Sequence, residues 1–205
     1  MKLAYQIFNI PGINEERDRN KSLIETSLEL PNLGSPTMSS HDPCPLMFTK
    51  KLKPGEVGLW NSTVTALRHF VDSDYDALLI LEDDILLNPG FLAGAQEYLE
   101  RLPMLWDYFY QYVHSWQGAN NFNMSYVYGD SKLCRSYQVW SNACFWVSKE
   151  GAHKLLKAVA NPIEEAVDWY ILKRGMEKSW NVYTLQPGVE MYCNIGGFKT
   201  TIQDG

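Results

Sequence analysis

Three consecutive carboxylates, Glu82, Asp83 and Asp84, directly follow an apolar run in the segment ALLILEDDILLNPGF, residues 77–91. Burying like charges side by side costs on the order of several kcal/mol for each unpaired group, so a positive charge is expected close to them. Ligands of open α/β sheets bind where the strands end, and this apolar run is typical of a buried strand. The segment therefore predicts a ligand site at the edge of a sheet.

The alternation of side chains along a strand predicts that Glu82 and Asp84 point to one side and Asp83 to the other. The first two are candidates for holding a hard divalent cation, since Mg²⁺ and Mn²⁺ bind oxygen ligands, water and substrate phosphates. Asp83 would then orient a polar ligand. The alternative is that all three acids cap the following helix or face solvent.

Strand-like and helix-like segments alternate along the chain, which predicts an α/β sheet with helices on its faces. Strands are predicted at residues 3–10, 77–81, 106–113 and 180–187, and residues 136–148 are predicted to form a long strand or a hairpin. Helices are predicted at residues 14–30, 53–73, 88–102, 149–160 and 163–175. Residues 31–53, with one short strand at LMFTK, residues 114–131 and residues 188–205 are predicted to be irregular.

Composition excludes several classes of protein. The chain has 205 residues, 45% of them hydrophobic, and is long enough for one sizeable domain. Its net charge of −6 argues against a platform for duplex nucleic acid, which needs a basic surface. Four cysteines without a CxxC pair or zinc spacing favour a reducing cytoplasm. No apolar run approaches the length of a membrane span.

Residues 52–91 resemble the central block of glycosyltransferase family 25, of the lipooligosaccharide galactosyltransferase type. The residues that match in order are Gly55, Glu56, Gly58, Ser62, Leu81, Glu82, Asp83, Asp84 and Phe91. The segments YQIFNI…ERDR, CFWVSKEGAHKLL and PIEEAVDWYI resemble other parts of that family more weakly. Two positions depart from its pattern, since Thr63 stands in place of a His and Leu59 in place of a common Cys, which leaves the donor and the acceptor open.

The resemblance implies a single glycosyltransferase domain over residues 1–205 with a GT-A-type (Rossmann-like) fold, a mixed and mainly parallel sheet flanked by helices. It implies a nucleotide-sugar donor, with UDP-Gal or UDP-Glc as the usual case, and Mn²⁺ or Mg²⁺ at the EDD motif, which is DxD-like. A divalent ion there would stabilise the charge that gathers on the departing diphosphate. Asp84 is then expected to be the direct metal ligand, Glu82 to help through water, and Asp83 to contact ribose or sugar hydroxyls.

An inverting transfer needs a general base within reach of the acceptor hydroxyl. The segment PIEEAVDWY offers Asp168 as the first candidate and Glu164 as the second, four residues apart on one helical face. Trp169 and Tyr170 beside them are candidates for stacking on a sugar. The alternative is that these acids form a solvated helix face.

Donor contacts are expected from Asn9 at the end of the first strand and from Arg17 on the first helix. Glu56 and Ser62 on the matched helix are further candidates. For these two, the alternatives are a carboxylate favoured by the helix dipole and a small packing residue.

The function predicted is a cytoplasmic, metal-dependent hexosyltransferase that acts on a glycan-type hydroxyl, as in lipopolysaccharide biosynthesis. Its expected partners are the nucleotide-sugar donor and a glycan or related acceptor, with nucleic acid not expected and peripheral membrane association left open. Two alternatives remain. One is transfer to a modified DNA base or a protein, and the other is a non-catalytic module that binds a nucleotide sugar.

Overall fold

The apolar segments assemble into one seven-stranded sheet and a separate two-stranded sheet within the residues that the computed structural model describes, which are 1–9, 14–34, 46–49, 51–112, 125–126, 130–135, 142–159, 162–186 and 189–196. The strands, in chain order, are β1 (Leu3–Phe8), β2 (Ala77–Glu82), β3 (Ile85–Leu87), β4 (Tyr108–Tyr110), β5 (Ser125–Tyr126), β6 (Leu133–Arg135), β7 (Cys144–Ser148), β8 (Val182–Leu185) and β9 (Cys193–Ile195). The helices are α1 (Glu15–Ser27), α2 (Pro54–Asp72), α3 (Phe91–Arg101), α4 (Lys149–Ala158) and α5 (Val167–Met176).

The large sheet has the strand order β1-β2-β7-β4-β8-β6-β5. Strands β1 and β2 are parallel, as are β4 and β8, whereas β7 and β6 run antiparallel to their neighbours. Five of the seven strands, namely β1, β2, β4, β8 and β5, therefore run in one direction. The predicted mixed, mainly parallel sheet flanked by helices is confirmed.

Side chains of β2 alternate between two apolar cores, one on each face of the sheet. Leu79 and Leu81 pack with residues of α1 and α3, while Leu78 and Ile80 pack with residues of α2, α4 and α5. We call these faces the α1 face and the α2 face. Because β2 is buried on both sides, its continuous apolar run is explained, and the charged residues begin where that burial ends.

Two short strands fall outside the sequence prediction. Strand β3 follows the acidic triplet and pairs antiparallel with β9, which lies in the tail predicted to be irregular. The predicted strand at LMFTK is reduced to a single bridge between Phe48 and Ile163. The β3–β9 pairing and the Phe48–Ile163 bridge each join segments more than 100 residues apart, so the local sequence pattern does not predict them.

Helix α5 begins at Val167, four residues later than predicted. Ala166 has an extended backbone, with φ −61° and ψ 151°, and the carbonyl of Glu165 accepts a hydrogen bond from the Trp60 indole at 2.7 Å. Glu164 therefore precedes the helix, and the expectation that it shares a helical face with Asp168 is wrong.

Of the element predicted at residues 136–148, the described part is Asn142 onward, and most of the predicted loop 114–131 lies outside the described residues. None of the helices that can be described has both the length and the apolar character needed to cross a bilayer.

Candidate functional site

The positive charge expected beside the acidic triplet is Arg17. Its Nη1 lies 3.1 Å from Oδ1 of Asp83, and its Nη2 lies 2.7 Å from Oδ2 of Asp84. Both carboxylates are buried, with 3% of Asp83 and 6% of Asp84 exposed. Strand β2 ends at Glu82, and the next two residues form a turn, so strand alternation stops there. The expectation that Asp83 points away from Asp84 is therefore wrong, because one guanidinium contacts both.

Three asparagines order this region: one caps helix α1, and two hold the acidic turn. The side chain of Asn14 caps the helix and accepts hydrogen bonds from the backbone N–H groups of Glu16 and Arg17. Asn20 donates from Nδ2 to the carbonyls of Asp83 and Ile85, each at 2.8 Å. These contacts fix both the helix that carries the guanidinium and the turn that carries the carboxylates.

The third asparagine, Asn9, extends the site to the end of β1. Its Nδ2 donates to Oδ2 of Asp83 at 2.9 Å and to Oδ1 of Asp18 at 3.1 Å. Burial raises the pKa of Asp83, and the charge of Arg17 and the hydrogen bond from Asn9 oppose that rise. The sequence prediction named Asn9, Arg17 and Asp83 separately as donor contacts, and the structure brings all three together.

Several buried polar atoms at this edge have no hydrogen-bond partner in the described parts of the chain. They are Oδ1 of Asn9, Oδ1 of Asp84, and both Oδ1 and Nδ2 of Asn142. These residues lie at the adjoining ends of β1, β2 and β7, which are neighbours in the sheet. An unsatisfied buried polar group costs about 1–3 kcal/mol, and a group of them at one edge is typical of a place where a ligand supplies the missing partners.

Sequence reasoning missed Asn142. The element predicted at residues 136–148 includes it, so its position just before β7, which begins at Cys144, carries no signal in the sequence. Its burial, at 5% exposed, depends on tertiary packing and carries no local pattern.

Residues 189–196 contact the acidic turn and the segment that follows it. The N–H of Gly196 donates to the carbonyl of Asp84 at 2.7 Å, and the N–H of Asn88 donates to the carbonyl of Tyr192 at 2.9 Å. Asn194 lies in β9 opposite Leu86 of β3. The tail therefore supports the backbone of the acidic turn.

A second feature, a cleft of about 520 Å³, lies on the α2 face. It is lined by Lys51, Leu52, Glu56, Glu164, Glu165, Ala166, Asp168 and Trp169. Both candidates for the general base, Asp168 and Glu164, therefore face one cavity. Burial raises the pKa of Asp168, backbone hydrogen bonds oppose the rise, and the charge of Glu56 adds to it.

The two aromatic candidates separate in the structure. Trp169 lines the cleft and is 41% exposed. Tyr170 instead packs edge-on against Trp60 and Trp180 and donates its hydroxyl to the carbonyl of Ala158 at 2.6 Å. Trp169 is thus placed to contact a ligand, and Tyr170 stabilises the core.

Glu56 and Ser62 have different surroundings on α2. Glu56 lines the cleft, and its carboxylate accepts from the N–H of Lys53 at 2.7 Å, so it also caps the helix. Ser62 is exposed and does not belong to the lining of the cleft. Glu56 remains a candidate site residue because it lines the cleft, whereas Ser62 does not line it.

Charges of both the acidic turn and the cleft affect the pKa of Glu82. Burial raises its pKa to about 8, the charge of Asp84 adds to the rise, and Arg17 opposes it. Asp83 and Asp168 raise it further. The carboxyl of Glu82 therefore responds to both groups of acids.

Stability is expected to fall as the pH rises from about 5 to about 8. In that window folded Glu82, with a pKa of about 8, keeps a proton that the unfolded chain, with its ordinary value of 4.5, has released. The unfolded state binds fewer protons, so the free energy of unfolding decreases by up to about 1.4 kcal/mol for each pH unit. The raised pKa values of Asp83 and Asp168 act in the same direction. Urea unfolding at pH 5 and pH 8 measures the effect, and Glu82→Gln should flatten the dependence; equal pH dependence in both proteins would refute this assignment.

The acidic turn offers a restricted set of metal ligands. In the described residues, no group of three or more His, Cys, Asp or Glu side chains is placed to hold a metal ion. Oδ1 of Asp84 is nevertheless buried without a hydrogen-bond partner in this part of the chain, while Oδ2 accepts from Arg17. Mg²⁺ and Mn²⁺ are often held by one or two carboxylates with substrate phosphates and water, so Asp84 fits such an ion when a phosphate ligand supplies further oxygens.

Comparison with known proteins gives distant likenesses. No protein-family model matches the chain, and no curated protein is significantly similar to it. The crystal structure of A197 from STIV is 14% identical, with a TM-score of 0.45 over 91% of this chain and 82% of that one. A glycosyltransferase involved in the glycosylation of the major capsid of PBCV-1 is 9% identical, with a TM-score of 0.43 over 93% of this chain and 95% of that one. Likenesses at this level do not identify an activity.

Proposed function

We propose that the protein is a metal-dependent glycosyltransferase that moves a hexose from a nucleotide sugar, UDP-Gal or UDP-Glc, to a hydroxyl of a glycan-type acceptor. The observation that carries the proposal is the group of buried polar atoms of Asn9, Asp84 and Asn142 at one edge of the sheet, which have no hydrogen-bond partner among the residues that the structure describes. This edge also holds the Arg17–carboxylate cluster, and the charge of Asp168, which lines the cleft, contributes to the raised pKa of Glu82. A charged, hydroxyl-rich ligand with a second substrate beside it suits that arrangement.

The donor half of the site is assigned to the ends of β1 and β2. Asn9 offers to the nucleoside its Oδ1, which has no hydrogen-bond partner in the described parts of the chain, and Asp83, held by Asn9 and Arg17, offers carboxylate oxygens to ribose or sugar hydroxyls. Asp84 would hold Mn²⁺ or Mg²⁺ through its unpartnered Oδ1, with Glu82 assisting through water. The bound ion supplies stabilisation of the negative charge that develops on the leaving diphosphate. The Arg17 guanidinium holds the carboxylates of Asp83 and Asp84 in place for these contacts.

The acceptor half is assigned to the cleft on the α2 face. Asp168 would take the proton of the acceptor hydroxyl, because burial raises its pKa toward the range useful for a base. Glu164 in the same cleft is the second candidate. The exposed indole of Trp169 presents a face on which an acceptor sugar ring can stack. Direct transfer with an enzyme base and no covalent intermediate corresponds to inversion at the anomeric carbon.

The charge of the cleft favours a neutral glycan acceptor over a nucleic acid. Glu56, Glu164, Glu165 and Asp168 line it together with Lys51, so an approaching phosphate backbone meets mostly carboxylates. A lipopolysaccharide-type glycan acceptor, met in the cytoplasm or at the surface of a membrane, belongs to the same proposal.

Thermal unfolding with and without ligand tests the donor proposal. UDP, UDP-Glc or UDP-Gal together with MnCl₂ should raise the melting temperature of the wild-type protein. A ligand at about 100 times its Kd adds about 2.7 kcal/mol of stability, which corresponds to roughly 5–10 °C for a chain of this size. The donor that stabilises most should also be hydrolysed slowly without acceptor. The absence of any shift, with Mn²⁺ and all three nucleotides tested, would contradict the proposal, whereas binding without hydrolysis or transfer would favour a non-catalytic module.

A further inference from the structure

Asn142 stands apart from the other asparagines at this edge because both polar atoms of its carboxamide lack a hydrogen-bond partner among the described residues. The residue is 5% exposed, and neither Oδ1 nor Nδ2 has a hydrogen-bond partner in the described residues. Asn9 and Asn20, in contrast, hold the acidic turn through their Nδ2 atoms. No protein contact at the described residues therefore accounts for a polar side chain at position 142, and a ligand would.

The register places Asn142 beside the acidic turn. Leu81 of β2 lies opposite Cys144 of β7, and the N–H of Glu82 donates to the carbonyl of Ala143 at 2.9 Å. Asn142 is the next residue outward from that hydrogen bond. It thus lies on the β7 side of the triplet, whereas Asn9 lies on the β1 side, with β2 between them. Neighbouring strands are about 4.8 Å apart, so the ends of β1 and β7 are separated by roughly 10 Å.

The chemistry of the edge changes along this line from charged to neutral. The β1 and β2 ends carry Arg17, Asp83 and Asp84, which suit a diphosphate and its counter-ion. The β7 end carries the uncharged carboxamide of Asn142, which offers two donors and one acceptor oxygen. Adjacent hydroxyls of a pyranose each donate and accept, so they match a carboxamide better than a phosphate does. A nucleotide sugar has the same order of groups, with its diphosphate between nucleoside and hexose.

We propose that Asn142 binds hydroxyls of the hexose carried by the nucleotide sugar, and so makes the protein bind the sugar nucleotide more tightly than the free nucleotide. This inference rests on the proposed function and assigns the hexose to the β7 side of the acidic turn. It also explains a buried amide that is unfavourable in the ligand-free protein, because the hexose supplies the missing partners.

Calorimetric titration of UDP, UDP-Glc and UDP-Gal in the presence of MnCl₂ tests the assignment on wild type, Asn142→Leu and Asn142→Ala. For wild type, the preferred UDP-hexose should bind at least about 10-fold more tightly than UDP, which is 1.4 kcal/mol. In both variants that preference should fall to about 2-fold or less, while the Kd for UDP stays within about 2-fold of wild type. The alanine variant covers the case in which the larger leucine does not fold.

A satisfied buried amide provides the matched control. Gln111 is fully buried, accepts from the Trp146 indole at 2.8 Å and donates to the carbonyl of Met191 at 3.3 Å. Gln111→Leu should lower the melting temperature and keep the preference for UDP-hexose over UDP. Asn142→Leu should keep or raise the melting temperature and lose that preference. Retention of the preference in both Asn142 variants overturns the inference while leaving the donor proposal intact. A wild-type protein that binds UDP and UDP-hexose equally also overturns it, and one that binds none of the three overturns the donor proposal together with it.

Discussion

Replacing Arg17 with methionine is expected to lower the free energy of unfolding by about 3–5 kcal/mol at pH 8. The guanidinium lies 3.1 Å from Asp83 and 2.7 Å from Asp84, and both carboxylates are almost fully buried. Methionine keeps much of the side-chain volume but leaves two like charges without their counter-ion. Breaking a buried pair by removing one partner costs far more than the pair itself contributes.

The loss should be smaller at pH 5 than at pH 8. Burial already raises the pKa of Asp83 and Arg17 opposes the rise, so removing Arg17 raises that pKa further. At lower pH the carboxyl takes up a proton and the uncompensated charge disappears. Urea unfolding of wild type and variant at both pH values measures the two differences.

The exposed pair between Lys2 and Asp74 is the matched control for this substitution. Its side chains are 65% and 74% exposed, and the atoms Nζ and Oδ2 are 2.6 Å apart. Lys2→Met should leave the free energy of unfolding nearly unchanged, because solvent screens such pairs. An Arg17→Met variant as stable as Lys2→Met would show that the acidic turn does not depend on this guanidinium.

The second large effect is expected at Asp84. Asp84→Asn should reduce Mn²⁺-dependent hydrolysis of the donor by at least about 100-fold, since it removes the anionic oxygen proposed to hold the ion. Asparagine is close in shape to aspartate and can still accept from Arg17, so the fold should be retained. Asp83 remains as a counter-charge for Arg17, and the free energy of unfolding should change by far less than in Arg17→Met.

Rates of release of UDP from UDP-Glc and UDP-Gal, measured without acceptor, give the readout for Asp84→Asn. Asp74→Asn removes a carboxylate of the same type at an exposed position and should keep the wild-type rate. Asp168→Asn should retain donor binding and lose transfer to an acceptor, which separates the two halves of the site. If Asp84→Asn hydrolyses the donor at the wild-type rate, the proposed role of this residue as a metal ligand is wrong.

The acidic turn was predictable from the sequence because an abrupt change from apolar to charged residues marks the end of a buried strand. The same reasoning required a nearby positive charge, and it named Arg17 as a donor contact, yet it did not join the two. Arg17 and Asp84 are 67 residues apart in sequence and meet only when α1 packs across the end of β2. Local patterns place elements, and tertiary packing decides which of their side chains face each other.

Elements with strong periodicity, such as α2 and β2, were predicted with nearly their observed bounds. Strands β3 and β9 have three residues each and pair across the chain, so their stability comes from the partner strand and leaves little trace in local sequence. Asn142 is the corresponding case for a side chain. Its significance lies in being buried without a hydrogen-bond partner in the part of the chain that the structure describes, and burial is a property of the folded molecule.

We propose above that the edge formed by β1, β2 and β7 binds a nucleotide sugar with the help of Asp84. Isothermal titration of UDP-Glc and UDP-Gal into wild type and Asp84→Asn, each with and without MnCl₂, measures this directly. We expect saturable heat for at least one donor in wild type with Mn²⁺, and a Kd at least about 100-fold higher when either the metal or the Asp84 carboxylate is absent. No heat from wild type with Mn²⁺, or equal affinity in the two proteins, would contradict it.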